Sequence, residues 1–425
     1  NFLRKHLTFM RIYCKIKKKA KGINVLSIDK IYDASNVLSE IARKTDLILS
    51  KTIVEGHEIY LKSENLQLTG SFKLRGAYYK ISKLTEEQKK KGIIACSAGN
   101  HAQGVALSAQ KNNIKASIFI PATAPISKVE ATRKYGADIK LIDGVYDDAY
   151  NAACQFQQET NGEFIHPFDD EDVIAGQGTI GLELIEQLPD IDAVIVPIGG
   201  GGLISGIAFT IKQLKPKCKV YGVQAQGAGS MYQSFINKKI LELPIVHTFA
   251  DGTAVKKPGE LTFDLCSKYV DDIVTVTDDE IASAILTLME RQKLVAEGAG
   301  ALSVAAAMFN RLPLENKKTA CIVSGGNIDV NILSRVINRG LLTTGRLCHL
   351  TIELLDKPGQ LKDVSAIIAD YGANVIRVRH NQGGENTDIN DCFLKISMET
   401  RNAKHFEEIQ NALISKGYKI ISNVQ

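Results

Sequence analysis

Between about residues 93 and 323, the sequence alternates short apolar, β-branched runs with longer segments of helical periodicity. This alternation predicts parallel strands whose connecting helices cover both faces of a sheet. The predicted strands are Ile93–Cys96, Ala116–Ile120, Ile139–Ile142, Ala193–Ile198, Val220–Val223 and Ala320–Val323. The predicted helices include Gln103–Lys111, Ile126–Tyr135, Tyr146–Thr160 and Ile281–Leu294. We therefore expect an α/β fold.

Three of the predicted strands run into loops of small residues that lead into a helix. The loops are SAGNHAQG (97–104), GGGGL (199–203) and SGGN (324–327). In open α/β sheets, ligands bind beyond the carboxyl ends of the strands, which is where these loops must lie. The loops are therefore the predicted ligand site.

The four glycines Gly199–Gly202 favour a phosphate ligand. Glycines let the backbone approach a ligand closely, and the following helix places its positive N-terminal end beside it. A purely structural turn is the alternative, but four glycines cost more chain entropy than a turn requires. Ser205 stands where the dinucleotide fingerprint needs glycine, and no Walker-type motif occurs, so NAD and nucleoside triphosphates are disfavoured.

A lysine between two large apolar residues is the second notable feature, in the stretch LTGSFKLRGA (68–77). Lys73 could be an ordinary surface lysine whose amine reaches solvent. Alternatively, burial and the neighbouring cation Arg75 could lower its pKa and make the neutral amine available as a nucleophile or base. A cofactor with a phosphate, a carbonyl and a pyridine ring would use Lys73 and the glycine loop together, and pyridoxal 5'-phosphate (PLP) has all three.

The motifs TGSFKLRGA, SAGNHAQG, GGGGL and SGGN, in this order, closely resemble those of the threonine ammonia-lyases, which are fold-type II PLP enzymes. The resemblance implies two parallel-sheet subdomains in a catalytic domain at 25–342, the smaller at about 69–160. It implies that Lys73 binds the cofactor as a Schiff base and removes the Cα proton of the substrate. The other implied cofactor contacts are Phe72 beside the ring, Asn100 at the ring hydroxyl, Gly199, Gly200, Gly201, Gly202 and Leu203 at the phosphate, and Ser324 at the pyridine nitrogen.

The substrate carboxylate is expected at the loop Ser97, Ala98, Gly99, Asn100 and His101. A role for His101 as an acid and a structural hydrogen bond are both open, as is an ordinary core position for Phe72. Elimination would convert L-threonine to 2-oxobutanoate and ammonia, and L-serine to pyruvate. A neutral Ser324 at the pyridine nitrogen suits elimination better than transamination.

Related activities are separated by single positions. Serine racemases carry a second serine in the carboxylate loop, where this chain has Ala98, so a lyase is favoured over a racemase. An enzyme of the serine racemase/serine dehydratase type is the alternative on the same scaffold. Gln224 and Gln226 stand where relatives place acidic metal ligands, so no required metal is predicted. Cysteine synthase-like enzymes typically show TSGNT in place of SAGNH. A catalytically inactive amino-acid sensor is the alternative from another class, and the intact Lys73 argues against it.

The last 80 residues have a different pattern, β-α-β-β-α-β, which is the ferredoxin-like order. With DKPGQL after its first strand, the segment 346–425 resembles an ACT regulatory domain. The candidate effector residues are Asp356, Pro358, Gly359, Gln360 and Leu361, with Asn374 facing them. A turn that merely starts a helix, with Asp356 as its cap, is the alternative. The resemblance implies a homodimer or homotetramer regulated by a branched-chain amino acid or a nucleotide.

The remaining composition restricts partners and location. The net charge of +5 comes from eight Lys or Arg among residues 1–28; subtracting these from 52 leaves 44 basic against 47 acidic residues. The basic leader at 1–24 is predicted to be disordered, and organellar targeting by it stays open. No apolar run is long enough for a membrane span, and a nearly neutral body with few aromatics disfavours nucleic acid. Eight scattered cysteines without a C-x-x-C pair indicate the cytoplasm.

Overall fold

A computed structural model describes residues 26–382 and 391–424; the predicted leader at 1–24 lies outside these ranges. The strands, in chain order, are β1 (Leu47–Ser50), β2 (Ile59–Lys62), β3 (Ile93–Cys96), β4 (Ala116–Pro121), β5 (Asp138–Ile142), β6 (Glu163–Phe164), β7 (Ala193–Pro197), β8 (Lys219–Ala225), β9 (Asp272–Val276), β10 (Thr319–Ile322), β11 (Leu347–Leu355), β12 (Asn374–Gln382), β13 (Asp391–Glu399) and β14 (Lys419–Val424).

The α-helices are α1 (Ile28–Leu38), α2 (Lys73–Ser82), α3 (Glu86–Lys91), α4 (Asn100–Lys111), α5 (Ile126–Arg133), α6 (Tyr146–Thr160), α7 (Glu171–Gln187), α8 (Gly202–Leu214), α9 (Ser230–Ile236), α10 (Glu260–Tyr269), α11 (Asp278–Thr287), α12 (Gly298–Met308), α13 (Val330–Thr343), α14 (Gln360–Asp370) and α15 (Ala403–Ser415). None of the helices within the described ranges is long and apolar enough to cross a bilayer.

The catalytic part contains two separate sheets, as the family resemblance implied. The larger has the order β1-β2-β10-β7-β8-β9 and is parallel except for the antiparallel pair of β1 and β2. The smaller has the order β5-β4-β3-β6 and is parallel throughout. Both sheets have helices between their strands, so the predicted α/β class is confirmed.

Both faces of the larger sheet are buried, which explains its continuous apolar runs. On β7, Ile195 packs into one core, while its neighbours Val194 and Val196 pack into a second core on the opposite face. Because successive side chains of a strand point to opposite faces, a strand buried on both sides loses the alternating pattern. All six predicted strands are present, with ends that differ by at most two residues.

Two helices differ from their predicted bounds for identifiable reasons. The helix predicted to start at Gln103 starts at Asn100, because Gly99 is its N-cap and the SAGN loop runs directly into it. The helix predicted as Ile281–Leu294 starts at Asp278, where Thr277 and Glu280 form a capping box, and its α-helical part ends at Thr287. A single π-helical turn, Leu288–Gln292, follows.

Residues 347–382 and 391–424 form a module of their own, with the element order β-α-β-β-α-β that the sequence predicted. Its antiparallel sheet has the order β12-β13-β11-β14 and is packed against α14 and α15 around a separate apolar core. The module follows α13 after three residues, and Arg346 in this connection pairs with Glu290 at 2.8 Å. This architecture agrees with the ACT-like domain expected there.

Candidate active site

One cavity of 960 Å³ brings together the loops that follow β3, β7 and β10. The segment before α2 is attached to the loop after β10 by main-chain hydrogen bonds, since the Phe72 amide donates to the Ser324 carbonyl at 3.1 Å. Every residue predicted for catalysis, cofactor or substrate binding lines this cavity: Phe72, Lys73, Ser97, Ala98, Gly99, Asn100, His101, Gly199, Gly200, Gly201, Gly202, Leu203 and Ser324.

Lys73 is the first residue of α2, and its amine faces the cavity. Its Nζ donates to the Pro167 carbonyl at 2.7 Å and lies 5.4 Å from the centre of the Phe72 ring. Burial lowers the pKa of this amine to about 8, and the negative charge of Glu297 opposes the shift. The surface-lysine interpretation is therefore wrong, and a neutral amine is accessible near physiological pH.

Arg75 does not contribute to this shift, contrary to the expectation that the neighbouring cation would. Its guanidinium is buried on another side of α2, where it donates to Glu64 at 2.8 Å and Glu183 at 2.6 Å. Residues two apart in a helix do not face each other, and the two carboxylates neutralise its charge. Loss of hydration alone lowers the pKa of Lys73.

The glycine loop is required by backbone conformation and by packing. Gly201 has φ +98°, a left-handed backbone conformation that residues other than glycine rarely adopt. It is the N-cap residue of α8. A Cβ atom on Gly200 would lie 2.3 Å from the Phe168 ring. The loop therefore presents bare backbone to the cavity at a helix N-terminus, where the first N–H groups have no intrahelical partners.

Asn100 is held by two neighbours from other loops. Its Nδ2 donates to Glu297 Oε1 at 2.6 Å, and its Oδ1 accepts from Asn327 Nδ2 at 2.8 Å. Asn327 also donates to the Thr69 carbonyl, so the amide of Asn100 has a defined orientation. Asn327 belongs to the SGGN motif and its position in that motif is the signal that could have identified it.

Glu297 is a buried carboxylate at the cavity that the sequence motifs did not identify as a site residue. It borders the cavity beside Lys73 and Asn100 and is only 4% exposed. Burial raises its pKa to about 7, and the nearby charge of Asp251 adds to that shift. The segment AEGAGA gives no local sign of this environment, because Asn100 and Lys73 reach it from distant parts of the chain.

The remaining predicted residues have mainly structural contacts. His101 Nε2 lies 2.8 Å from the Ile165 carbonyl, and burial lowers the pKa of the ring to about 3, so the neutral ring donates to that carbonyl. This geometry supports the structural interpretation of His101. The Ser97 hydroxyl accepts from the Gly99 amide at 3.2 Å, and the Ser324 hydroxyl donates to the Ala299 carbonyl at 3.3 Å. Phe72 borders the cavity and also packs against an apolar core.

Gln224 stands where relatives place an acidic metal ligand, and its amide forms hydrogen bonds within the protein. The side chain accepts from the Tyr232 amide at 2.8 Å and donates to the Ile198 carbonyl.

In the C-terminal module, the structure does not bring Asn374 to the predicted effector loop. Asn374 pairs with Glu399, which also pairs with Leu347 at the start of β11, whereas Asp356 follows the last residue of that strand. Asp356 is nine residues further along the chain than Leu347, which corresponds to about 30 Å of extended strand. Gly359, with φ +98°, is the N-cap residue of α14, so Asp356 does not occupy the N-cap position of this helix.

A model of the family described as pyridoxal-phosphate dependent enzymes matches residues 38–325. This chain belongs to that family. Its cofactor is therefore PLP, and the cavity fits this group: a dehydrated amine, Lys73, and a glycine loop at a helix N-terminus border the same space. Lys73 would hold the carbonyl carbon of the cofactor, and Gly199–Gly202 would hold its phosphate.

Two relatives with assigned activities cover nearly the whole chain, and a third covers about three quarters of it. The L-threonine ammonia-lyase of Thermotoga maritima is 49% identical over 398 residues, which are 93% of this chain and 99% of the relative. The L-threonine ammonia-lyase of Geobacter sulfurreducens is 44% identical over 92% of this chain and 98% of the relative. The Escherichia coli catabolic L-threonine dehydratase TdcB is 46% identical over 73% of this chain and 96% of its own length.

Solved structures resemble the catalytic part. The processed threonine deaminase isoform 2 of Solanum lycopersicum has a TM-score of 0.69 at 38% identity, covering 74% of this chain and 89% of the other. Maize serine racemase has a TM-score of 0.70 at 37% identity, covering 74% and 98%. The fold alone therefore does not separate a lyase from a racemase.

Proposed function

We propose that this chain is a threonine ammonia-lyase that converts L-threonine to 2-oxobutanoate and ammonia, and L-serine to pyruvate. The observation that carries the reaction type is the dehydrated Lys73 amine in the cavity formed by the three loops. The substrate follows from the L-threonine ammonia-lyases, one of which is 49% identical over 93% of this chain.

PLP, when bound, withdraws electrons from the Cα of an amino acid, which makes loss of the Cα proton and of the β-hydroxyl feasible. Lys73 supplies the amine that accepts the Cα proton, because a pKa near 8 leaves part of it neutral near pH 7. Phe72 and Pro167 limit water around this amine. Asn100 and Ser324 are the proposed contacts of the ring hydroxyl and the pyridine nitrogen.

The loop Ser97–His101 is the proposed site of the substrate carboxylate. It precedes and begins α4, so unpaired N–H groups of the first helical turn and the Ser97 hydroxyl border the cavity. Ala98 in this loop has no proton to donate to the opposite face of Cα. We therefore favour elimination over racemisation.

The direct test measures kcat/KM for L-threonine and L-serine with a keto-acid readout, and follows D-serine by chiral separation. We expect a higher kcat/KM with L-threonine and no D-serine above the uncatalysed level. Keto acid from neither substrate would contradict the lyase, and D-serine as the main product would favour the racemase.

We further propose that the module at 346–425 regulates the enzyme and that the chain forms a homodimer or homotetramer. The two ammonia-lyases above align over this module, whereas the catabolic E. coli dehydratase spans about the length of the catalytic part. A branched-chain amino acid or a nucleotide is the proposed effector, with Asp356, Pro358, Gly359, Gln360 and Leu361 as its candidate contacts. Regulation by such an amino acid would suit isoleucine biosynthesis.

Full-length protein and a truncation after Thr344 provide the test of regulation. Activity is compared with and without isoleucine, valine and AMP, and mass is measured by light scattering. We expect a response of the full-length enzyme that the truncation removes. If the two proteins respond alike, the module has an assembly role instead. A cytoplasmic location is also proposed, in agreement with free thiols at all seven cysteines of the described ranges.

A further inference from the structure

Three side chains of the metal-binding type meet at one end of the C-terminal sheet. They are Asp356 after β11, His380 in β12 and Cys392 in β13. One ligand atom from each, a carboxylate oxygen, a ring nitrogen and a sulfur, lies within 4.8 Å of the other two. None of the three borders the catalytic cavity.

The strand register explains why residues far apart in sequence meet here. Both β11 and β12 are antiparallel to β13, which lies between them, so the ends of β11 and β12 meet the start of β13. Cys392 is paired with Leu354, and His380 is paired with Leu394. Paired residues share a face and every second residue returns to it, so Asp356, His380 and Cys392 occupy the same face.

We propose that Asp356, His380 and Cys392 bind a zinc ion. Zinc takes thiolate, imidazole and carboxylate ligands in a tetrahedron whose ligand atoms are about 3.5 Å apart. Binding would therefore require the exposed Asp356 and His380 side chains to rotate toward Cys392 from the present spacing of up to 4.8 Å. The thiolate and the carboxylate together neutralise the charge of the ion. Magnesium and calcium are disfavoured, because both take oxygen ligands and not sulfur.

The exposure of these three side chains fits a zinc site that solvent can reach. Cys392 is fully buried, whereas Asp356 and His380 are exposed. The ion would therefore have protein on the sulfur side and solvent on the other, which leaves a fourth position for water or for a further ligand. This site lies outside the catalytic cavity, so the prediction that the reaction needs no metal is independent of it.

The test uses tag-free, full-length holoenzyme kept reduced with a phosphine. Zinc binding is measured by competition with a chromophoric chelator, for the wild type and for His380→Gln and Asp356→Asn. Both variants change exposed residues, so folding is expected to be retained, and circular dichroism checks it. We expect the wild type to bind one more zinc ion per chain than His380→Gln, or to bind it at least about tenfold more tightly.

Cobalt provides a second readout, because a cobalt–thiolate bond has its own charge-transfer absorption. We expect this band in the wild type and in Cys348→Ser, the matched control, since Cys348 is a buried cysteine at the opposite end of β11. The band should be lost in Cys392→Ser and weakened in His380→Gln. Equal zinc stoichiometry and affinity in wild type and His380→Gln, or a cobalt band unchanged in that variant, would overturn the proposal.

Discussion

Lys73 and Arg75 lie two residues apart in helix α2, yet the surroundings of Lys73 favour a neutral amine, whereas those of Arg75 stabilise a charged guanidinium. In the cavity, burial moves three ionisable groups toward their neutral forms: it lowers the pKa of Lys73 to about 8 and of His101 to about 3, and raises that of Glu297 to about 7. Arg75 is equally enclosed, but two carboxylates hold its positive charge.

The Arg75 cluster consists of Arg75, Glu64, Glu183 and Lys62. Burial opposes ionisation of Arg75 and Glu64, but their mutual attraction outweighs it, so the pKa of Arg75 is raised and that of Glu64 is lowered. Lys62 joins the cluster through Glu183. The comparison teaches that burial alone favours the neutral form of a group, whereas burial with a matched partner preserves its charge.

The largest expected effect is on activity. Lys73→Ala should lower kcat/KM for L-threonine by roughly 10³-fold or more, because the proton acceptor is lost, and should abolish the visible absorption of bound cofactor. The free energy of unfolding should not fall, since the amine forms no ion pair with a carboxylate among residues 26–382 and 391–424 and its hydrogen bond goes to the Pro167 carbonyl. Lys83→Ala, at the exposed end of the same helix, is the control and should keep activity. A Lys73→Ala enzyme with near wild-type turnover would refute the assignment.

Stability should respond most to the Arg75 cluster. Arg75→Met leaves Glu64 buried without its cation and should lower the free energy of unfolding by about 3–5 kcal/mol, measured by urea denaturation. Arg339→Met removes an exposed pair with Asp279, 2.8 Å apart, and should cost at most about 1 kcal/mol. Equal costs for the two variants would mean that the cluster is not the stabilising feature described here.

A pH effect should follow from the buried histidines. Burial lowers the pKa of His101 from 6.5 to about 3. Between these two pH values, the His101 ring is protonated in the unfolded chain but neutral in the folded protein. The contribution of the neutral His101 ring to the free energy of unfolding is complete above about pH 6.5. It is lost as the pH falls toward 3, by at most about 1.4 kcal/mol per pH unit.

The variant His101→Gln tests this directly, because it should reduce the slope of unfolding free energy against pH below about pH 6. His166→Gln should act over a narrower range, since burial lowers the pKa of His166 only to about 4. An unchanged slope in both variants would show that the cavity does not keep these rings neutral.

The smallest expected effect concerns Glu297. Its negative charge favours the charged form of Lys73, so Glu297→Gln should lower the pKa of that amine below its value of about 8. In cofactor-free enzyme, acylation of Lys73 followed by mass spectrometry should then reach half its maximal rate at a lower pH than in wild type. Glu242→Gln, an exposed carboxylate that also borders the cavity, should leave this midpoint unchanged. A midpoint that rises in Glu297→Gln would contradict the electrostatic account.

The alternation of strands and helices, the loops at the strand ends and the ferredoxin-like order of the last 80 residues were all readable from sequence. These features depend on patterns within some ten residues, such as apolar runs, glycines and caps. Strands β1, β2, β6 and β9, each of two to five residues, were missed, because such short segments show no clear periodicity.

Tertiary structure alone decided which side chains meet. The direction of Arg75 away from Lys73, the contact of Glu297 with Asn100 and the separation of Asn374 from the effector loop each depend on elements distant in sequence. A local pattern sets where a strand lies and which face is apolar, but strand order and register set its neighbours. Sequence therefore determined the fold class, the cofactor loops and Lys73, while the packing of distant segments determined the charge states and partners of these groups.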